Sequence, residues 1–207
     1  MTVPSIRAAD AIDSALIAAA ARGDVAAVRK LIGEGAGTGA RDGQGRTALL
    51  AATQANHIEV ARILIAAGAD VNAKDGIEDS PFLYAGAEGR DEILKLTLAA
   101  GADLKSLNRY GGTALIPAAH HGHVETVRIL LGTAIEKDHV NNLGWTALLE
   151  AVILGDGEPV HTEIVRLLVA AGSDVTIADR DGVTALAHAR RRGFAAMAAI
   201  LAAATPR

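Results

Sequence analysis

The histidines of the segment His120-His121-Gly122-His123 are the side chains of this chain best suited to chemistry. Imidazoles bind zinc and transfer protons near neutral pH. A zinc site needs three or four converging ligands, and neighbouring residues on a helix point about 100° apart. His120 and His121 are therefore poorly placed to meet at one ion. We expect a solvated or partner-contacting pair here, with a metal-binding site as the alternative.

Other reaction chemistry lacks suitable residues. The 207-residue chain contains no cysteine, which excludes thiol catalysis and disulfides, and its spacing suggests no Ser–His–Asp arrangement. Its glycines fall in turns, so they are weak indicators of a phosphate-binding loop. The formal net charge of −4 argues against nucleic-acid binding, and no apolar run reaches the roughly 18–20 residues of a membrane span. We predict a protein that is not an enzyme and that carries no cofactor.

The start of the chain bears on its compartment. The apolar run from Ala15 to Ala21 ends at Arg22 and lacks the basic beginning of a signal peptide, so we interpret it as part of a helix. We expect a cytoplasmic protein. A periplasmic or secreted location stays open if a signal peptide has been removed.

The chain as a whole is organised by a repeat. A triplet made of Ser or Thr, then Ala or Pro, then Leu or Phe recurs six times. The copies begin 33 residues apart, except that 38 residues separate the last two. They are Ser14-Ala15-Leu16, Thr47-Ala48-Leu49, Ser80-Pro81-Phe82, Thr113-Ala114-Leu115, Thr146-Ala147-Leu148 and Thr184-Ala185-Leu186. A period near 33 residues indicates a stacked repeat protein.

Each unit predicts two short helices with a polar break between them. In the second unit they cover residues 48–55 and 58–67, and the second of these carries apolar residues at helical spacing. Gly68 follows, at a position where a helix end favours a left-handed residue without a Cβ. Gly101 and Gly172 recur in the same slot.

The first unit begins less clearly. Residues 1–12 contain Pro4 and show no period, so we interpret them as a lead-in. Asp13 or Ser14 would then be the N-cap of the first helix, with its side-chain oxygen accepting a hydrogen bond from a main-chain N–H.

These residues give the chain a close resemblance to ankyrin-repeat proteins, from about Asp13 to Ala204. The resemblance rests on Thr47-Ala48-Leu49-Leu50-Ala51-Ala52, Asn56-His57, Ile63-Leu64-Ile65, Ala67-Gly68-Ala69-Asp70-Val71-Asn72, His121-Gly122-His123-Val124-Glu125 and Ala171-Gly172-Ser173-Asp174-Val175. The proline that usually follows the Thr is kept only at Pro81. The usual histidine of the motif is replaced by Leu50, Leu83, Ile116, Leu149 and Ala187. Losing that histidine exchanges a hydrogen-bond network for packing and leaves the expected fold unchanged.

The resemblance implies an all-α ankyrin-repeat solenoid of stacked helix-turn-helix units with β-hairpin fingers. First helices and fingers line its concave face, and the terminal units are caps with polar outer faces. One domain covers residues 13–204, followed by a tail at 205–207. Its repeats cover about 13–41, 42–74, 75–107, 108–140, 141–178 and 179–204.

Two irregularities interrupt the repeat. In the fourth unit, Ala134-Ile135-Glu136 fills the slot of the usual Gly-Ala-Asp. A left-handed residue other than glycine costs roughly 1–2 kcal/mol, so we expect the helix to end early with Gly132 as its cap. The fifth unit has five extra residues, which we place at 156–160 in the turn between its helices. Loops accept additions at low cost, so this insertion is either neutral or a partner contact.

The resemblance also implies where a partner binds, because finger residues before the Thr and the ends of the first helices are the variable binding positions of ankyrin repeats. Here they are Gln44, Arg46, Ile77, Tyr84, Arg109, Tyr110, His120, His121, Leu143, Trp145, Ile153 and Leu154. We expect Tyr110 and the only tryptophan, Trp145, at exposed finger tips, since Trp, Tyr and Arg are common hot-spot residues. Alternatively, Trp145 covers the neighbouring finger.

We therefore expect a monomeric, non-enzymatic module that binds one protein partner and inhibits, sequesters or scaffolds it. A small-ligand or metal-responsive sensor around His120 and His121 is the alternative, and a structural spacer is a third possibility. Charge is uneven along the chain, with a net −4 over residues 75–107 and a net +4 over residues 180–207. This asymmetry either serves solubility or steers a charged partner.

Overall fold

The computed structural model describes residues 4–205, with side chains from Asp10 onward. Twelve α-helices form in this part of the chain. They are α1 (Pro4–Arg22), α2 (Val25–Gly33), α3 (Ala48–Gln54), α4 (Ile58–Ala66), α5 (Pro81–Ala87), α6 (Asp91–Ala99), α7 (Leu115–His120), α8 (Val124–Leu131), α9 (Ala147–Ile153), α10 (Pro159–Ala170), α11 (Ala185–Arg191) and α12 (Ala195–Ala204). Over residues 4–205 the only β-pairing is one isolated bridge between Ala178 and Thr184. The all-α prediction is confirmed, and the fingers are hydrogen-bonded turns.

The helices divide into two compact units. Unit 1 is the chain up to Ala85 together with Arg90–Asp103, and unit 2 is Gly86–Gly89 together with the chain from Leu104 onward. In unit 1, α1 packs against α2 and α3, and α4 packs against α6. In unit 2, α9 lies between α7 and α11, and α10 lies between α8 and α12. Equivalent helices of successive repeats are thus neighbours, as stacking requires. None of the described helices is long and apolar enough to cross a membrane.

In the second, third, fifth and sixth repeats, the hydroxyl that leads the repeat caps the first helix. Oγ1 of Thr47 accepts a hydrogen bond from the Leu50 N–H at 3.2 Å, and the hydroxyls of Thr146 and Thr184 are used in the same way. Such a cap stabilises a helix by about 1 kcal/mol. The leucine of the triplet turns into the core, where Leu49 is fully buried. The recurring triplet therefore joins a capped turn to a buried helix face.

Helix α1 begins at Pro4, so the expected N-cap at Asp13 or Ser14 is wrong. Proline is favoured in the first turn of a helix, where its missing N–H leaves no hydrogen bond unmade. No glycine or further proline follows before Gly23 to stop the helix. Oδ1 of Asp13 instead accepts a hydrogen bond from the Gly37 N–H at 2.6 Å, which ties α1 to the segment after α2.

Several second helices end on a left-handed glycine, as predicted. Gly68, Gly101 and Gly172 have φ angles of 84°, 86° and 82°. The residue after the glycine then donates its N–H to the last turn of the helix, as Ala69 does to the Leu64 carbonyl at 2.9 Å. The slot tolerates positive φ at no steric cost because glycine has no Cβ.

The fourth repeat closes its second helix by another route. Helix α8 ends at Leu131 with Gly132 as its C-cap, as expected, and Ala134 in the glycine slot has no positive φ. The Thr133 hydroxyl donates to the Leu130 carbonyl at 2.6 Å and accepts the Ile135 N–H at 3.2 Å. The Thr133 hydroxyl thus bridges the Ile135 N–H and the Leu130 carbonyl. In the second repeat the equivalent groups, the Ala69 N–H and the Leu64 carbonyl, bond to each other directly.

Replacing Thr133 with Val should lower the free energy of unfolding by about 1 kcal/mol, because the Ile135 N–H loses its partner and the Leu130 carbonyl keeps only the main-chain N–H of residue 133. Adding Ala134→Gly to that variant should recover most of the loss, since glycine permits the direct bond between them. Urea unfolding measures both effects, and Thr133→Ser is the control that keeps the hydroxyl. A double variant no more stable than Thr133→Val would contradict this account.

The five-residue insertion is divided between a loop and a helix. Three residues separate α3 from α4 and five separate α9 from α10, while α10 has 12 residues against nine in α4. Two inserted residues therefore lengthen the turn, and three add most of a turn to the start of α10. The expectation that the insertion lies wholly in the turn is wrong. Pro159 at the first position of α10 explains the earlier start, because its fixed φ suits a helix N-terminus.

Candidate functional site

Each finger is a five-residue turn closed by one Asp or Asn side chain. In the fifth repeat, Oδ1 of Asn141 accepts hydrogen bonds from the N–H groups of Leu143 and Trp145, both at 3.0 Å. The Asn141 N–H in turn donates to the Trp145 carbonyl at 3.0 Å. The residues that accept two such bonds at the start of a finger are Asp42, Asp75, Asn108, Asn141 and Asp179. These bonds fix the main chain of the finger without help from a partner.

The second residue after the Asp or Asn is the tip of the finger. Ile77, Tyr110 and Leu143 hold this position in the third, fourth and fifth repeats, with exposed fractions of 53%, 54% and 47%. Gln44 and Asp181 hold it in the second and sixth repeats and are also exposed. Three consecutive tips therefore present large apolar or aromatic side chains to solvent.

Trp145 lies at the base of its finger and is half-buried, so the expectation of an exposed tryptophan tip is wrong. The cause is the turn geometry, because the main chain of the fifth finger residue folds back onto Asn141. Arg46 holds the equivalent position in the second repeat and is also half-buried, with its guanidinium 2.8 Å from the Asp42 carboxylate. Leu143 is the true tip of the fifth finger.

The fingers of unit 2 are joined by hydrogen bonds to main-chain carbonyls. The Asn142 N–H donates to the Tyr110 carbonyl at 2.9 Å, and the Arg180 guanidinium donates to the Asn142 carbonyl. Arg109 is exposed, and its guanidinium carbon lies 4.9 Å from the centre of the Tyr110 ring, within the range of a cation–π contact. Tyr110 and Leu143 are thus the tips of two adjoining fingers with fixed spacing.

In unit 1 the second and third fingers are joined in the same way, by a hydrogen bond from the Gly76 N–H to the Gln44 carbonyl at 3.0 Å. Arg46 donates to the Gln54 side chain at 3.0 Å, so it is engaged within its own repeat. Tyr84 is half-buried on α5. Among the described side chains of this unit, Ile77 is the one large apolar residue that is exposed.

Four further predicted residues lie where first helices of unit 2 end. Leu154 is exposed and Ile153 is half-buried at the end of α9. His121 is exposed and His120 is half-buried at the end of α7. The helix ends thus add one exposed apolar side chain and one exposed histidine to the finger tips of this unit.

Two histidine rings of unit 2 bond to main-chain carbonyls of the preceding repeat. Nδ1 of His121 lies 2.7 Å from the Ala87 carbonyl oxygen, and Nε2 of His161 lies 2.9 Å from that of His120. Within the described residues, no three His, Cys, Asp or Glu side chains are grouped so that they could hold a metal ion. These ring nitrogens therefore serve the packing of one repeat on the next.

Glu150 is a candidate that the sequence did not reveal. It lies on α9 with an exposed fraction of 6%, and its Oε1 accepts a hydrogen bond from the Asn141 amide at 2.8 Å. Its Oε2 is 3.8 Å from Nδ1 of His120. In the sixth repeat, Nε2 of His188 lies 2.7 Å from Oδ2 of Asp179. In both repeats the first residue of the finger is therefore hydrogen-bonded to the residue nine positions later on the first helix. The finger residue is the donor in the Asn141–Glu150 pair and the acceptor in the Asp179–His188 pair. This recurring spacing is the sequence signal that could have identified Glu150.

Burial raises the pKa of Glu150 to about 7, although the hydrogen bond from Asn141 and the charge of His121 act in the opposite direction. Burial also lowers the pKa of His120, and the neighbouring His121 and His161 lower it further. Near neutral pH a large share of Glu150 is therefore protonated while His120 is mostly neutral. Despite their 3.8 Å separation, the two groups do not form a full ion pair.

Comparison with known proteins identifies the repeat. A family model of ankyrin repeats, present in three copies, matches residues 6–75 and 82–179. The chain belongs to the ankyrin-repeat family. This assignment agrees with the capped first helices, the left-handed glycines and the stacking of equivalent helices described above. No curated protein matches the chain.

Two solved structures are similar over most of this ankyrin-repeat chain. An ankyrin repeat domain from Acinetobacter baumannii AYE is 56% identical, with a TM-score of 0.89, over 91% of this chain and 96% of that one. EF0377, an ankyrin repeat protein, is 42% identical, with a TM-score of 0.89, over 92% of this chain and 97% of that one. The similarity covers both chains almost completely and supports the same repeat architecture.

The pairing of Asn141 with Glu150 predicts a charge-exchange experiment. Asn141→Asp should lower the free energy of unfolding by about 2 kcal/mol at pH 8, because it sets two ionised carboxylates against each other in a buried site. Adding Glu150→His should restore stability, since the double variant reproduces the Asp179–His188 pair. Chemical denaturation gives all three free energies. If the double variant is no more stable than Asn141→Asp, the two positions do not act as a pair.

The raised pKa of Glu150 predicts that stability depends on pH. The unfolded chain loses this proton near 4.5 and the folded chain near 7, so the folded state binds more protons between these values. The free energy of unfolding should therefore fall as pH rises from about 4.5 to about 7 and then level off. Glu150→Gln should lack this contribution, with a difference between the two proteins that changes by roughly 2–3 kcal/mol over the interval. Parallel pH profiles for the two proteins would refute the prediction.

Proposed function

We propose that this chain is a non-enzymatic protein-interaction module that binds one protein partner through its finger tips and the ends of its first helices. By holding that partner it would act as an inhibitor, a sequestering factor or a scaffold. Ankyrin repeat domains are generally protein-interaction modules, which supports this class of function. We further propose that the module acts as a monomer in the cytoplasm.

The observation that carries the proposal is the exposure of Tyr110 and Leu143 on adjoining fingers. Large apolar side chains next to one another at a surface mark an interaction site. Their main chains are already held by Asn108 and Asn141, so binding orders little of the protein. Because little conformational entropy is lost when the fingers bind, more of the contact energy contributes to affinity.

The ends of the first helices support a surface larger than the two tips. Leu154 adds an exposed apolar side chain at the end of α9, and His121 adds an exposed imidazole at the end of α7. Ile153 and His120 lie beside them and are half-exposed. Aliphatic residues around a central aromatic anchor suit a hot spot that nearby groups shield from water.

The test begins with affinity purification from the source organism, using the tagged chain as bait and identifying retained proteins by mass spectrometry. The double variant Tyr110→Ser/Leu143→Ser should bind the retained protein at least 30-fold more weakly, which corresponds to about 2 kcal/mol. Isothermal titration calorimetry measures the affinities, and circular dichroism checks that the helices persist.

Val160→Ser is the matched control, because Val160 is exposed to a similar extent, 48%, but lies on the extra turn of α10. It should leave the affinity unchanged. A loss confined to this variant would move the binding site to the insertion and contradict the finger-tip assignment. Recovery of no specific protein would favour the structural spacer, and a zinc-dependent rise in melting temperature would favour the sensor.

A further inference from the structure

Leu154 is the C-cap of the first helix of the fifth repeat, and it is 41% exposed. The same position, eight residues after the leading Thr, is held by His121 in the fourth repeat and by Arg192 in the sixth. Both of those side chains bond to a main-chain carbonyl of the preceding repeat. A leucine side chain has no donor for such a bond. The fifth repeat therefore presents an apolar side chain where its two neighbours form a stacking contact.

The stacking contact that Leu154 does not make is supplied by a histidine on α10. In the fourth and sixth repeats the C-cap side chain bonds to the carbonyl of the seventh residue after the preceding leading hydroxyl, which is Ala87 or Ile153. In the fifth repeat the equivalent carbonyl belongs to His120, and Nε2 of His161 lies 2.9 Å from it. Since that carbonyl already has a partner, the Leu154 side chain is not needed for stacking.

A single guanidinium of the sixth repeat holds the main chain on both sides of Leu154. Two nitrogens of Arg192 donate to the carbonyls of Ile153 and Gly155, the second of them at 3.0 Å. Hydrogen bonds from a charged donor are stronger than those between neutral groups, and the planar guanidinium suits two acceptors at once. Arg192 therefore fixes the backbone from which the Leu154 side chain projects.

Close packing supports the rest of the connection between α9 and α10. The guanidinium carbon of Arg192 lies 4.6 Å from the centre of the Phe194 ring, within the range of a cation–π contact. A Cβ at Gly157 would overlap that ring, and a Cβ at Gly155 would lie 2.8 Å from Cγ of His161. The connection is therefore packed between α10 and the sixth repeat, with two glycines where the approach is closest.

We propose that Arg192 is a positioning residue of the partner-binding surface, which holds the Leu154 side chain in place to contact an apolar group of the protein partner. This inference rests on the proposed function, which places Leu154 on that surface. Because the backbone beside Leu154 is ordered before the partner arrives, its ordering does not oppose binding. The sixth repeat then contributes to recognition in addition to capping the array.

The first measurement is amide hydrogen exchange of the full chain alone, followed by mass spectrometry of peptides that cover residues 153–158. Arg192→Ala removes both bonds to the carbonyls, so exchange in this segment should become at least tenfold faster. Arg190→Ala is the matched control, because Arg190 is exposed on α11, carries the same charge and donates to neither carbonyl. It should leave the exchange within about twofold of the parent. Unchanged exchange in Arg192→Ala would overturn the proposal.

The second measurement is binding, and its probes are synthetic copies of peptides selected on the full chain from a random library displayed on phage. Leu154→Ser should weaken some of these peptides at least fivefold, and those are kept. The kept peptides should bind Arg192→Ala at least threefold more weakly than the parent, because ordering of the segment then opposes binding. In the Leu154→Ser background, Arg192→Ala should change affinity by less than about 1.5-fold, since Arg192 acts through Leu154.

Arg192→Lys separates the geometry of the donors from their charge. It keeps the positive charge but replaces the planar guanidinium with a compact ammonium, so it should bind the kept peptides about as weakly as Arg192→Ala. Affinity and exchange like those of the parent would overturn the role of the paired donors. Circular dichroism shows whether each variant remains folded. If Arg192→Ala has lost its helical signal, Arg192→Gln takes its place, with at least a twofold loss of affinity expected because its amide can hold one carbonyl.

The outcomes separate this inference from the proposed function. Equal losses from Arg192→Ala with and without Leu154 would show a general structural role and overturn the positioning assignment. If no selected peptide depends on Leu154, the assignment is also overturned, whereas peptides that need Tyr110 and Leu143 leave the finger-tip surface intact. Peptides insensitive to changes at all three of these residues would place binding elsewhere and count against the proposed function as well.

Discussion

A single side-chain oxygen that accepts two main-chain N–H groups holds each finger, and the presentation of the tip residues depends on it. In the second, fifth and sixth repeats the second polar atom of the same side chain is also engaged. Asp42 pairs with Arg46, Asn141 with Glu150, and Asp179 with His188. In the last two cases the pairing reaches the first helix, so finger and helix are joined. The tip makes none of these side-chain bonds and is free to vary without loss of the turn.

This arrangement separates the residues that stabilise the repeat from those available to a partner. In the second repeat the Thr47 hydroxyl caps the first helix, Gly68 closes the second helix, and Leu49 of the triplet is buried in the core. The cap and the helix closure are local interactions, since the Thr47 hydroxyl meets the N–H of Leu50 and the Ala69 N–H meets the carbonyl of Leu64. For that reason the repeat period, the helix pairs and the left-handed glycines could be predicted from the sequence. The Thr133 bridge could not, because a threonine hydroxyl in a turn has several possible partners.

The predictions that failed concern features decided at longer range. The start of α1 was misplaced because the residues before Asp13 carry no repeat pattern, although nothing in them opposes a helix. Trp145 was expected at a tip because large aromatic residues often bind partners, but its place in the five-residue turn puts it at the base. Glu150 was missed because its significance depends on Asn141, nine residues earlier, and on burial that only packing reveals. Tyr110 was predicted correctly as exposed, because its position in the repeat places it at the tip of its finger.

The extra turn of α10 shows how this architecture can grow. Nε2 of His161 lies 2.9 Å from the His120 carbonyl, just as Nε2 of His57 in the second repeat lies 3.2 Å from the Ala21 carbonyl. The added residues come before His161, so the histidine keeps its anchoring role and the chain after it resumes the ordinary spacing. The extra residues have therefore been added before a histidine whose contact with the preceding repeat is unchanged. An evolving or engineered array could therefore lengthen ahead of such a histidine, provided that the Gly155 carbonyl keeps its hydrogen bond from Arg192 of the following repeat.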